Sequence, residues 1–245
     1  MKVLDIPYTD TYPPTSEVRP MHIYHRPPIS TSSVDSLGKI AQRIPRESSV
    51  LDLGCATGTL GQYLNLYQDA VVDGIEINSE AAEFGLGYRR IFVKDLESVI
   101  LKDILENATY SVIVCADILE HLRDPALLLR QLSGLLIPGG KLLISIPNTG
   151  YAGIILELLS GEFCYREEGL LDQNHLRFFT RRSFLRLLNK NGFDGTVVDR
   201  IILPLEHSEF SYLSYILTKE KYPPNLESLE DGTTYQFIIE AYPHT

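Results

Sequence analysis

Short apolar runs alternate with amphipathic stretches along this chain, and the alternation sets the fold. Residues 48–53 (SSVLDL), 70–77 (AVVDGIEI), 89–93 (RRIFV), 110–116 (YSVIVCA) and 141–147 (KLLISIP) read as strands. Most are near-continuous apolar runs, as expected when helices cover both faces of a sheet. Between them, helical spacing is expected over 34–44, about 59–67, 79–84 (capped by Asn78 or Ser79) and a short stretch before YSVIVCA. DPALLLRQLSGLL then opens a helix with Asp124 as N-cap and Pro125 as first residue, and PGG is expected to end it. Beyond an insertion at about 150–179, TRRSFLRLLNKNG is a helix opened by Thr180 and closed by Gly192. Two last strands, near GTVVDRIIL and TYQFIIEAY, flank a second insertion at about 204–234. The pattern predicts an α/β protein with a doubly wound parallel sheet.

The proline-rich start, TYPPTSEVRPMHIYHRPP, fits neither a regular helix nor a central strand. Residues 1–33 are expected to form an arm or a strap in which Tyr24 and His25 could cover a ligand. Residues 34–245 are expected to form a single domain. The 245 residues are 44% hydrophobic, ample for a core. Lysine and arginine number 22 against 32 acids, a net charge of −10, which argues against a surface that grips nucleic acid. Cys55, Cys115 and Cys164 have no CxxC spacing, so reduced thiols in a cytoplasmic protein are expected. MKVLDIPYTD lacks the apolar run of a signal peptide, and no apolar stretch reaches the roughly 18 residues of a membrane helix. A soluble protein is expected.

Candidate chemistry starts at VLDLGCATGTL, where a strand runs into a glycine turn and then a helix. In doubly wound sheets, ligands bind at such strand ends. A dinucleotide site would show GxGxxG, but here GCATGTLG has Ala56 at the second position, and no GK[ST] follows for a phosphate loop. A nucleoside without a pyrophosphate remains. Asp52 at the first strand end suits an ammonium group, Glu76 at the second suits a ribose diol, and Asp95 after the third suits an adenine amino group.

The run LDLGCATG, Glu76 in GIEI, Asp95 in KDLE, SVIVCADILEHL and IPGGKLLISIPN resembles the class I S-adenosylmethionine-dependent methyltransferases over about residues 48–200. That resemblance implies a Rossmann-like, seven-stranded sheet whose last two strands form an antiparallel pair. It implies S-adenosyl-L-methionine as cofactor, with Asp52, Gly54, Cys55, Ala56 and Gly58 around the methionine part and Glu76 on the ribose. It places Asp95 and Leu96 at the adenine, and Ala116 and Asp117 beside the sulfonium. Ala56 departs from the second glycine of many members.

The acceptor side is less marked. The [DN]PP[FY] motif of many amino-group and base methylators is absent after the fourth strand, where the chain reads ADILEHLRDP. NHLRFFT is similar to a segment of methyltransferases of surface-polysaccharide biosynthesis and of ubiquinone-biosynthesis O-methyltransferases. Histidine suits a general base at neutral pH. His175 is the first candidate and His121 the second, with a structural role the alternative for each. The expected acceptor is a hydroxyl of a small molecule or saccharide, not nucleic acid. Asp117, Glu120 and His121, at i, i+3 and i+4, could also join His175 around a divalent ion. That set resembles the metal site of small-RNA 3′-end 2′-O-methyltransferases, but Asp117 is a methylene shorter than their first ligand. No metal is expected. The first insertion, with Glu157 in an apolar helix, is expected to be a lid rather than a membrane contact, and the second to build an acceptor or subunit contact. A nucleotide-dependent oxidoreductase and a non-catalytic adenosylmethionine-binding module stand as alternatives.

Overall fold

Alternate residues of the central strands feed opposite sides of one sheet, which is why those strands are apolar throughout. The computed structural model describes residues 23–24, 26–203 and 226–244, without side chains at 226–229. Most of the N-terminal arm, His25 and the bulk of the second insertion lie outside the described residues. The strands are β1 (Ser49–Leu53), β2 (Val71–Glu76), β3 (Arg90–Val93), β4 (Tyr110–Ala116), β5 (Leu136–Pro147), β6 (Phe193–Ile202) and β7 (Thr234–Pro243). They form one seven-stranded sheet in the order β3-β2-β1-β4-β5-β7-β6. β1 to β5 pair in parallel, and β7 runs antiparallel to both β5 and β6. The expected fold is the one observed.

Val50, Val112, Val114 and Leu143 pack on one face with Ile40 and Leu64. Leu51, Ile113 and Leu142 pack on the other with Leu129, Phe184 and Phe237. The helices are α1 (Ser36–Ala41), α2 (Thr59–Gln68), α3 (Ser79–Glu83), α4 (Leu101–Ile104), α5 (Pro125–Leu132), α6 (Ala152–Leu159), α7 (Arg181–Lys190) and α8 (Leu226–Thr233). The caps read from sequence are in place: Asn78, Asp124 and Thr180 each accept a first-turn amide.

PGG does not end the preceding helix. That helix stops at Leu132, a 3₁₀ turn covers Ser133–Leu135, and the PGG residues lie inside β5. Leu136 pairs with Tyr110 and Lys141 with Val112, so β5 bulges there, with Gly139 at φ +77.

One buried charge braces the sheet. Asp73 is inaccessible to solvent and accepts hydrogen bonds from Arg89 Nε (2.9 Å) and Nη2 (2.6 Å), Arg90 (3.0 Å) and Tyr110 (2.8 Å). Burial alone would raise its pKa, but these donors hold it down at about 2. In the first insertion, Tyr151, Ile154, Leu170 and Leu171 pack together against Tyr235. Glu157 points back along that insertion, taking bonds from the Cys164 amide and Arg166, both at 2.6 Å.

Candidate active site

The strand order reverses between β1 and β4, and a cavity of about 900 Å³ opens over that end of the sheet. The turn after β1 forms one wall. Gly54 has φ +74, and a Cβ there would lie 2.7 Å from Ile118 Cδ1; one on Gly58 (φ +85) would lie 2.7 Å from Gly85 Cα. Backbone contact requires glycine at 58, and the positive φ favours it at 54. Ala56 also sits at positive φ, +46, where an L-residue carries strain. Its amide donates to Glu76 Oε2 (2.9 Å), while Glu76 Oε1 accepts from Asn78 N (2.8 Å). Glu76 thus ties the glycine turn to the loop after β2 and still lines the cavity.

Asp52 also lines the cavity and is almost wholly buried. Burial pushes its carboxyl up to about 6, partly offset by a 2.6 Å hydrogen bond from Tyr88. The same Tyr88 hydroxyl accepts the Gly61 amide of α2 (3.1 Å). Tyr88 was not singled out in the sequence, where it carries no local signal.

Gly54, Cys55, Ala56, Ala116 and Asp117 line the cavity with Asp52 and Glu76. Gly58 shapes the turn, and the residues on either side of it, Thr57 and Thr59, are in the lining. Asp95 and Leu96 are not in the lining: Asp95 Oδ1 caps the Glu97 amide (2.9 Å), and Leu96 packs into the core. Ile77, just past β2, reaches the cavity instead. Asp117, at φ +52, is held by Ser145 Oγ (2.5 Å), Arg26 (2.7 Å), Gln236 (3.0 Å) and Ser36 (3.3 Å).

The opposite wall joins the turn after β4 to the first insertion. Leu176 and Arg177 amides both donate to the Glu120 carbonyl (2.8 and 2.9 Å), which brings His121 and His175 to a ring separation of 4.7 Å. His175 Nδ1 donates to the Leu170 carbonyl and His121 Nδ1 to the Asn174 carbonyl, each at 3.2 Å. A carbonyl can only accept, so both rings carry their proton on Nδ1 and leave Nε2 as a base or ligand. Burial lowers both pKa values and keeps the rings neutral; His175 also lowers that of His121.

Glu120 completes the group. It is 1% exposed, and neither carboxylate oxygen has a hydrogen-bond partner among the described residues. Burial, reinforced by the charge of Asp117, pushes its carboxyl well above the usual range. Its Oε1 lies 4.0 Å from His175 Nε2, and one ligand atom from each of Glu120, His121 and His175 falls within a 4.8 Å span. Two imidazoles and a carboxylate form a donor set that divalent ions accept. Asp117, already fully bonded, is outside it.

Residues at the start of the described chain cross this opening. Tyr24 donates to Asp172 Oδ2 (3.0 Å), accepts from Asn174 (3.2 Å) and packs 5.9 Å from the His121 ring.

A methyltransferase-domain family model matches residues 28–198. The chain is 28% identical over 160 residues to a ubiquinone biosynthesis O-methyltransferase of Marinobacter nauticus, covering 61% of this chain and 62% of that protein. It is 25% identical over 193 residues to one of Leptothrix cholodnii, covering 74% and 76%. The chain therefore spans less than two thirds of the Marinobacter relative. In fold it is similar to the YcgJ protein of Bacillus subtilis (TM-score 0.56, 16% identity, covering 86% of this chain and 98% of that one). It is also similar to the magnesium protoporphyrin IX methyltransferase of Synechocystis with bound SAH (TM-score 0.54, 15% identity, covering 86% and 82%). No helix among the described residues is long and apolar enough to cross a membrane. With the family match over most of the chain, a glycine turn after β1 and acids at the ends of β1 and β2, the chain belongs to the class I methyltransferases, a family whose methyl donor is S-adenosylmethionine.

Proposed function

We propose that the chain methylates a hydroxyl oxygen of a small molecule or saccharide, with His175 as the general base. One observation carries this reading: the glycine turn after β1 and the His121–His175 pair line the same cavity. An acceptor placed between them faces both the sulfonium and a neutral imidazole. In the transfer, a hydroxyl oxygen lone pair forms the O–CH₃ bond as the S–CH₃ electron pair returns to sulfur. The sulfonium becomes a neutral thioether, and the hydroxyl proton passes to His175 Nε2. The leaving group needs no acid, so catalysis consists of alignment and proton removal. The relatives named O-methyltransferases support the same acceptor type. Asp52 would meet the cofactor ammonium and Glu76 its ribose.

The unpartnered oxygens of Glu120 favour a second version of the chemistry. A divalent ion held by Glu120, His121 and His175 would acidify the bound hydroxyl, and solvent rather than His175 would take the proton. Chelation separates the two, because a free base predicts no response to EDTA. Acceptor class is tested by S-adenosylhomocysteine release with panels of phenols, saccharides and amines. Turnover of amines alone would overturn the proposal.

A further inference from the structure

We propose that Arg26 is a cofactor-binding residue, the counter-ion of the carboxylate on the methionine end of S-adenosylmethionine. The inference rests on the cofactor and is independent of the acceptor. That end of the molecule is a zwitterion, so the cavity must receive an anion as well as an ammonium group. Its walls are poorly suited to an anion. Asp52, Glu76, Asp117, Glu120, Glu168 and Asp172 all line it, and Arg26 is the one lysine or arginine among the described lining residues. His121 and His175 do not compensate, since each spends its Nδ1 proton on a backbone carbonyl. A carboxylate entering beside these acids finds no other lysine or arginine among the described lining residues to offset their charge.

The position of Arg26 fits the role. Its carbonyl accepts from Thr59 Oγ1 (3.4 Å), which fastens it beside the first residue of α2. The N-cap of that ten-residue helix is Gly58, which supplies no side-chain oxygen to the first turn. The helix end therefore adds its partial positive charge on the same side as the guanidinium. Only Nη2 of Arg26 is engaged among the described residues, with Asp117 at 2.7 Å. Asp117 keeps Ser36, Ser145 and Gln236 if that contact is shared or released. The guanidinium side chain is 41% exposed, so it can turn toward an incoming carboxylate, which it can grip through two parallel N–H donors.

The test is calorimetric titration of the full chain with S-adenosylhomocysteine and with its decarboxylated analogue, which keeps the ammonium and loses only the carboxylate. The wild type should prefer S-adenosylhomocysteine. Arg26→Gln should weaken that ligand by roughly 10- to 150-fold, the scale of a charge-assisted hydrogen bond, and leave the analogue within about twofold. Arg26→Lys should recover part of the loss. Equal weakening of both ligands would mean that Arg26 only holds the chain segment in place, and no weakening of either would remove it from the site; each result overturns the proposal. A wild type that binds both ligands alike overturns it without any variant. Methyl transfer is not measured, so failure here leaves the acceptor assignment untouched.

Discussion

Replacing Glu120 with methionine is expected to stabilise the metal-free protein. The side chain is 1% exposed and neither carboxylate oxygen has a hydrogen-bond partner among the described residues. Leaving a buried polar group unpaired costs about 1–3 kcal/mol. Methionine matches glutamate in length, has no polar atom to satisfy, and adapts to irregular space. The variant should therefore gain about 1–3 kcal/mol, and for a protein of this size that raises Tm by roughly 2–10 °C. Urea denaturation after chelation measures the difference, with an unchanged slope expected. The same experiment repeated with manganese or zinc tests the second version of the chemistry. An ion at 100 times its Kd would stabilise the wild type by about 2.7 kcal/mol and leave Glu120→Met unaffected. A Met variant less stable than the chelated wild type by more than about 1 kcal/mol would refute the reasoning, because the carboxyl would then be serving the fold.

Four further outcomes follow from the geometry. His175→Ala should leave S-adenosylhomocysteine affinity near that of the wild type and cut turnover by about 10²–10⁴-fold; full activity would remove His175 from the chemistry. Cofactor affinity should fall about tenfold per pH unit below about 6, because the Asp52 carboxyl, raised to about 6 by burial, must release its proton to meet the ammonium. An affinity that is flat from pH 5 to 7 would contradict that pairing. Asp73→Asn should cost roughly 2 kcal/mol at neutral pH: the folded pKa of about 2 lies below the unfolded value near 3.8, so the contribution is present above pH 4 and lost between about 4 and 2. A gap from wild type that persists at pH 2 would exclude it. Ala56→Gly should change stability by less than about 0.5 kcal/mol, since relief at φ +46 offsets the added chain entropy, and a loss above 1 kcal/mol would contradict the strain argument.

The half of the cavity around the turn after β1 was legible because its residues follow one another. Strand, glycine turn and helix form a continuous stretch whose backbone conformations select residue type, and Asp52 and Glu76 end strands whose direction the apolar runs already set. Even there, local pattern reached only so far. Asp95 follows a strand as Glu76 does, but β3 is the edge strand, and its carboxylate turns to cap the Glu97 amide instead of the cavity. PGG reads as a helix stop by composition, and pairing with β4 drew it into β5 as a bulge.

The acceptor half is written across the chain rather than along it. Glu120 and His121 reach His175 only because the Leu176 and Arg177 amides dock on the Glu120 carbonyl, and Tyr24 meets Asp172 across 148 residues. No spacing rule spans such distances, so the sequence could group the two histidines with Glu120 but not show that its carboxylate is left without a hydrogen-bond partner beside them. The i, i+3, i+4 pattern illustrates why. It grouped Asp117 with Glu120 and His121 as if on one helix, whereas Asp117 sits at φ +52 before a single 3₁₀ turn and faces Ser36, Ser145 and Gln236. The turn that breaks the helix divides the two halves of the site. It leaves Asp117 paired with Arg26 and sends Glu120 and His121 to the insertion. Substitutions in the insertion can therefore reshape the acceptor wall while the turn after β1 and the acids at the ends of β1 and β2 stay as they are.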